Sequence, residues 1–177
     1  MSSTLRLCLD LNIWCAALLS QKKQRQHTAA QLLVALVRNG ECALGPVQLV
    51  ISWGMLNRLQ KVWETDWKID PTTVQSLVEA IAGYAQLGPV AQPPYLLLGG
   101  TGVLALADEE DAHVLDTALA GKADYLITAN FDDFITSSAQ VLEPNRLARY
   151  ASPKGSVVIV HPYLFIAWVR QGQIPDS

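Results

Sequence analysis

Carboxylates and their amides stand out among the residues of this chain that could do chemistry. Asp10 closes the short apolar run at residues 5–10 (LRLCLD), with Asn12 just beyond it. Asp108 and Asp111 sit three apart at the start of a helical stretch and so share one helix face. Asn130, Asp132 and Asp133 follow the apolar run at 125–128 (YLIT). Three or more carboxylates brought together repel strongly unless they are protonated or neutralised by a cation. A divalent ion is the simplest neutraliser, and oxygen ligands without Cys or His select Mg²⁺ or Mn²⁺ over Zn²⁺. Such an ion orients a phosphodiester, polarises its oxygens and lowers the pKa of an attacking water. Phosphodiester hydrolysis is the reaction class implied.

These residues meet only if the chain delivers them to one edge of a sheet. Residues 5–10 read as a buried strand turning into a helix over NIWCAALLS. Residues 27–39 carry a helical stripe (Ala29, Leu32, Leu33, Leu36, Val37) that Gly40 would end. A second short strand falls at 49–51, and Ser52 is a good N-cap for a helix through Glu64. Asp70-Pro71 starts another helix, running to 86. Residues 88–102, rich in Gly and Pro, read as a connection with a short extended piece at 95–98. A helix at 108–119 closed by Gly121, a strand at 125–128, a loop at 130–134, a strand at 156–160 (SVVIV) and a helix at 162–170 complete the chain.

Strands alternating with helices predict an α/β fold with a parallel sheet covered on both faces. Ligands bind such sheets beyond the carboxyl ends of the strands. Asp10, Asn12, Asn130, Asp132 and Asp133 fall there, whereas Asp124 precedes its strand and belongs to the opposite edge. Asp116 lies five residues past Asp111 and points away from it, so both Asp116 and Asp124 read as surface residues. Asp108, Glu109 and Glu110 read as first-turn partners of the helix dipole. His113 and Asp111 point to different helix faces, which favours packing or surface placement for the histidine. His27 and His161 have no partner nearby in sequence. The run Gly99-Gly100-Thr101-Gly102 lacks the Lys-Ser/Thr ending of a phosphate loop. Lys22, Lys23, Arg25, Arg58 and Lys61 read as solvated charge that could touch phosphates, and the tryptophans as core or interface packing.

Composition sets further bounds. The length suits one domain, residues 1–171, with a polar tail at 172–177. Cys8, Cys15 and Cys42 are odd in number and lack CxxC spacing, which points to a reducing, cytoplasmic compartment. No apolar run approaches the roughly 20 residues of a membrane helix. Only 16% of residues are charged and 50% are hydrophobic, so some apolar surface is expected to meet a partner, either a second copy or another protein. The net charge of −3 argues against a broad basic footprint for nucleic acid.

The blocks LDLNIWCAALL, EEDAHVLDTALAGKADYLITANFDDF and VVIVHPYLF, in that order, resemble the PIN-domain nucleases, including VapC-type toxins of toxin–antitoxin pairs. The resemblance implies a three-layer α/β/α fold with a central parallel sheet of about four or five strands. It implies an RNA substrate, a Mg²⁺ or Mn²⁺ cofactor, a homodimer and an antitoxin partner. By the same resemblance Asp10 is the first acidic position and Asp111 the third, and Asn130 with Asp133 fills the last, Asp132 being an adjacent possibility. Asn12 supports the site, and Thr128 would hold the loop through its hydroxyl. The family's second acidic residue is a Glu, and here VISWGMLNRLQ places Asn57 in that position. An amide coordinates through its carbonyl oxygen but supplies neither charge nor a general base. Two outcomes therefore stay open: an endoribonuclease, and a weakened PIN-like module that binds RNA or protein without cutting. A phosphatase of the haloacid dehalogenase kind would want Asp where Asn12 stands. A dinucleotide enzyme would want GxGxxG after the first strand.

Overall fold

Apolar runs of four to six residues are too short for buried helices and need a sheet roofed by the amphipathic segments between them. The structure, a computed structural model, describes residues 3–90, 96–97 and 109–175. In chain order it forms β1 (Leu5–Leu9), α1 (Leu11–Lys22), α2 (Ala29–Asn39), β2 (Glu41–Cys42), β3 (Gly45–Leu49), β4 (Ile51–Ser52) and α3 (Trp53–Lys61), the last continued by a π-helical turn, Val62–Asp66. There follow α4 (Pro71–Gln86), β5 (Leu96–Leu97), α5 (Glu109–Ala120), β6 (Tyr125–Ile127), a 3-10 turn (Phe131–Phe134), β7 (Ala139–Glu143), β8 (Leu147–Ser152), β9 (Gly155–Val160) and α6 (Pro162–Gln171).

Seven strands make one sheet in the order β2-β3-β1-β6-β9-β8-β7. Its centre, β3-β1-β6-β9, is parallel, while β2, β8 and β7 add antiparallel edges. β4 and β5 form a separate parallel pair. Leu7, Cys8 and Leu9 are all fully buried although successive strand residues face opposite ways, so both faces of β1 are covered. One group of helices packs α2 against α1, α4 and α6, while α5 packs on β1, β6 and β9. The expected α/β architecture with a parallel centre is therefore present. The hairpin β7–β8, in a stretch to which the sequence assigned no element, widens the sheet.

Local chemistry explains the boundaries. Thr28 and Gln31 form a capping box on α2, and Gly40 ends that helix in the left-handed region at φ 73°. Ser52 and Asp70 cap α3 and α4 as their types predict. Gly121 is not in the left-handed region: Lys122, at φ 52°, makes the turn after α5. Gly121 is small because a Cβ there would run into Val50. Aromatic packing fixes α6 on the sheet, with the Phe165 ring 5.5 Å from Tyr125 and 6.1 Å from Trp168. Burying Phe165 fully is worth about 1.5–3 kcal/mol. The last helix thus presents its N-terminus at a fixed place beside the carboxyl end of β6.

Candidate functional site

Asp10 ends β1 and caps α1, its Oδ1 accepting the Leu11 N–H at 2.7 Å. Its Oδ2 accepts the Thr128 hydroxyl at 2.8 Å, and the same hydroxyl oxygen accepts the Asn130 N–H at 3.0 Å. One hydroxyl thereby joins the carboxyl ends of two adjacent parallel strands and shapes the loop after β6. Asp10 is 3% exposed, and Thr128 is fully buried. A carboxylate removed from water loses several kcal/mol of hydration, which is why the polar contacts are concentrated on it. Burial, and after it the charge of Asp10, pushes the Cys8 thiol well above its ordinary range.

Asp111 rides half-buried on α5, whose position is set by a polar clasp. His113 Nε2 lies 3.1 Å from the Ser52 Oγ, and the Thr117 hydroxyl donates to that same Oγ at 3.1 Å. Ser52 in turn accepts the Met55 N–H, so one buried hydroxyl caps α3 and holds α5. Gly54 leaves the space that His113 fills, since a Cβ there would meet its ring. His113, for which the sequence favoured packing or surface placement, is half-buried and holds Ser52 by this contact. Asp116 corrects an expectation: placed at the surface from sequence, it is only 4% exposed. Every residue from Val114 to Leu119 is buried because α5 is enclosed between the sheet and α3, leaving no solvent side at Asp116.

Asn130, Asp132 and Asp133 line a cavity of about 390 Å³ together with Asn145 and His161. Asp10 and Asp111 do not line it. Asn130 is the joint between the two groups, bonded to Thr128 on one side and facing the cavity on the other. His161, unassigned from sequence, arrives at the carboxyl end of β9. Its Nδ1 accepts the Tyr163 N–H at 3.2 Å and caps α6. Burial, and then the charge of Arg146, holds its pKa below the ordinary histidine value. The rule that located Asp10 and Asn130, a polar residue just past a strand end, would have located His161 had it been applied to histidines. Asn12 and Asn57 are exposed, on the first turn of α1 and in the middle of α3.

At the other edge of the sheet Asp124 is exposed and its Oδ2 accepts the Arg6 N–H at 2.7 Å. The Arg6 side chain donates to the Gly121 carbonyl at 2.9 Å, and Lys22 lies 5.9 Å over the Trp67 ring.

Among the described residues no three His, Cys, Asp or Glu side chains come close enough to share a metal ion. A magnesium-type ion needs fewer, since it keeps several waters and takes one or two carboxylates. The donors at this edge, the carboxylates of Asp10, Asp111, Asp132 and Asp133 with the Asn130 amide, are hard oxygens of the kind such ions accept. The donor chemistry therefore fits Mg²⁺ or Mn²⁺. Among the described residues no helix is long and apolar enough to cross a membrane. A family model described as PIN domain matches residues 6–132, more than half of the chain. The match stops inside the 3-10 turn, ahead of Asp133, the β7–β8 hairpin and α6. No curated protein and no solved structure matches.

Proposed function

Because the chain belongs to the PIN-domain family, whose members are generally metal-dependent nucleases, we propose that it is a Mg²⁺- or Mn²⁺-dependent endoribonuclease similar to VapC-type toxins. The observation that carries this reading is the buried Asp10 carboxylate, tied through the Thr128 hydroxyl to the loop that bears Asn130 and the Asp132–Asp133 pair. Asp10, Asp111 and Asp133 would hold the ion, with Asn130 and Asn12 supporting it and Asp132 adjacent. When bound, the ion would polarise the phosphate and lower the pKa of the attacking water. Thr128 keeps Asp10 oriented before substrate arrives, so that the strand end is preorganised rather than assembled on binding. Asn57 contributes a neutral carbonyl oxygen from α3. The low charge content supports a protein-covered surface, read as a homodimer and a cognate antitoxin in the cytoplasm.

A second reading, a PIN-like module that binds RNA or protein without cutting, is favoured by two observations. By the family resemblance Asn57 stands where a Glu is expected, and no three His, Cys, Asp or Glu side chains that could share a metal ion come together among the described residues. Incubating the full chain with single-stranded RNA, in Mn²⁺ and in chelator, separates the two. Internal cuts that require the ion support the nuclease. Intact RNA that nevertheless binds supports the module, and equal cutting in chelator contradicts the metal-dependent mechanism.

A further inference from the structure

We propose that Tyr163 and His161 form a landing step for single-stranded RNA beside the acidic cavity, Tyr163 stacking on a base next to the cut and His161 Nε2–H donating to a phosphate or base oxygen. This deepens the nuclease reading and rests on it. α6 carries three aromatic residues, of which Phe165 and Trp168 are buried in the core. Tyr163, in the first turn, is instead 74% exposed. A single exposed aromatic is ordinary. This one lies with its ring centroid 5.1 Å from the His161 ring, and His161 lines the cavity shared by Asn130, Asp132 and Asp133.

The tautomer of His161 follows from its bond. Because its Nδ1 accepts a main-chain N–H, the neutral ring must carry its proton on Nε2, which makes that nitrogen a donor. A neutral donor beside carboxylates suits an oxygen of the substrate. Stacking suits this protein for a second reason. A net charge of −3 and acidic residues around the cavity argue against a broad basic footprint on which to hold RNA. Contact between a base and an aromatic face does not depend on net charge and tolerates any base. Phe165, packed against Tyr125 and Trp168, fixes α6 so that Tyr163 is presented without a loop rearrangement.

The test uses the full chain, a short single-stranded RNA carrying 2-aminopurine, and Ca²⁺ as the divalent ion. Wild type should bind and quench the fluorescent base. Tyr163→Ala should weaken binding about tenfold and lose the quenching, while Tyr163→Phe retains both. Melting temperatures should agree among the three, because the side chain is exposed. Binding and quenching unchanged in Tyr163→Ala would overturn the landing step and leave the nuclease reading standing. Failure of the wild type to bind RNA at all would overturn both.

Discussion

β1 and β6 are stitched together by an aspartate at each end, and the two stitches differ in burial and in surroundings. At the amino edge Asp124 stands in solvent beside Arg6, whose guanidinium has its pKa lowered by burial and partly restored by the Asp124 charge. At the carboxyl edge Asp10 is buried and accepts a main-chain N–H and the Thr128 hydroxyl. An exposed acid beside an arginine costs little and contributes little. A buried acid is costly to keep, and an amide of the same shape is less costly to bury. The comparison sets two aspartates with the same topological job, joining two strands, side by side: one stands in solvent and the other is buried.

The sharpest way to break that comparison is to remove each charge in turn. Asp10→Asn should lower Mn²⁺-dependent RNA cleavage at least about a hundredfold with little loss in melting temperature, the loss expected when a group that stabilises developing charge is removed. Asp124→Asn should leave cleavage unchanged and shift stability by less than about 1 kcal/mol in chemical denaturation. Equal activities in the two variants would erase the distinction.

Next in size is Thr128→Val, which keeps the shape and deletes the hydroxyl. It removes the hydroxyl bond to the buried Asp10 carboxylate and the acceptor of the Asn130 N–H, at a cost of about 1–3 kcal/mol in denaturant unfolding. Cleavage should fall as well, because the loop bearing Asn130 loses its tether. An effect on stability alone concerns the helix that carries Asp111. Gly54→Ala should push His113 off Ser52 and destabilise by about 1–3 kcal/mol, and His113→Ala in the same chain should recover part of it.

Much of this architecture was legible in the sequence because it rests on local signals. The runs LRLCLD, YLIT and SVVIV are apolar stretches bounded by turns, and each forms a strand of the parallel centre, the last pairing antiparallel with β8 on its other side. Ser52, Asp70 and Gly40 act by backbone chemistry that needs no tertiary information. The β7–β8 hairpin was harder to read. β7 is mostly exposed at the sheet edge, and only the alternation at Leu147, Ala148, Arg149 and Tyr150, after a turn with Asn145 at φ 59°, marks it. At the site, strand ends announced Asp10 and Asn130. The burial of Asp116, the Ser52–His113–Thr117 clasp and the arrival of His161 at the cavity depend on contacts between residues far apart in sequence. No periodicity encodes such contacts.

Titration calorimetry with Mn²⁺ on wild type, Asp10→Asn and Asp124→Asn tests the central claim most directly. Wild type and Asp124→Asn should bind the ion with the same affinity, and Asp10→Asn should show no heat of binding. Equal binding by Asp10→Asn and wild type, or none by wild type at millimolar ion, would contradict it.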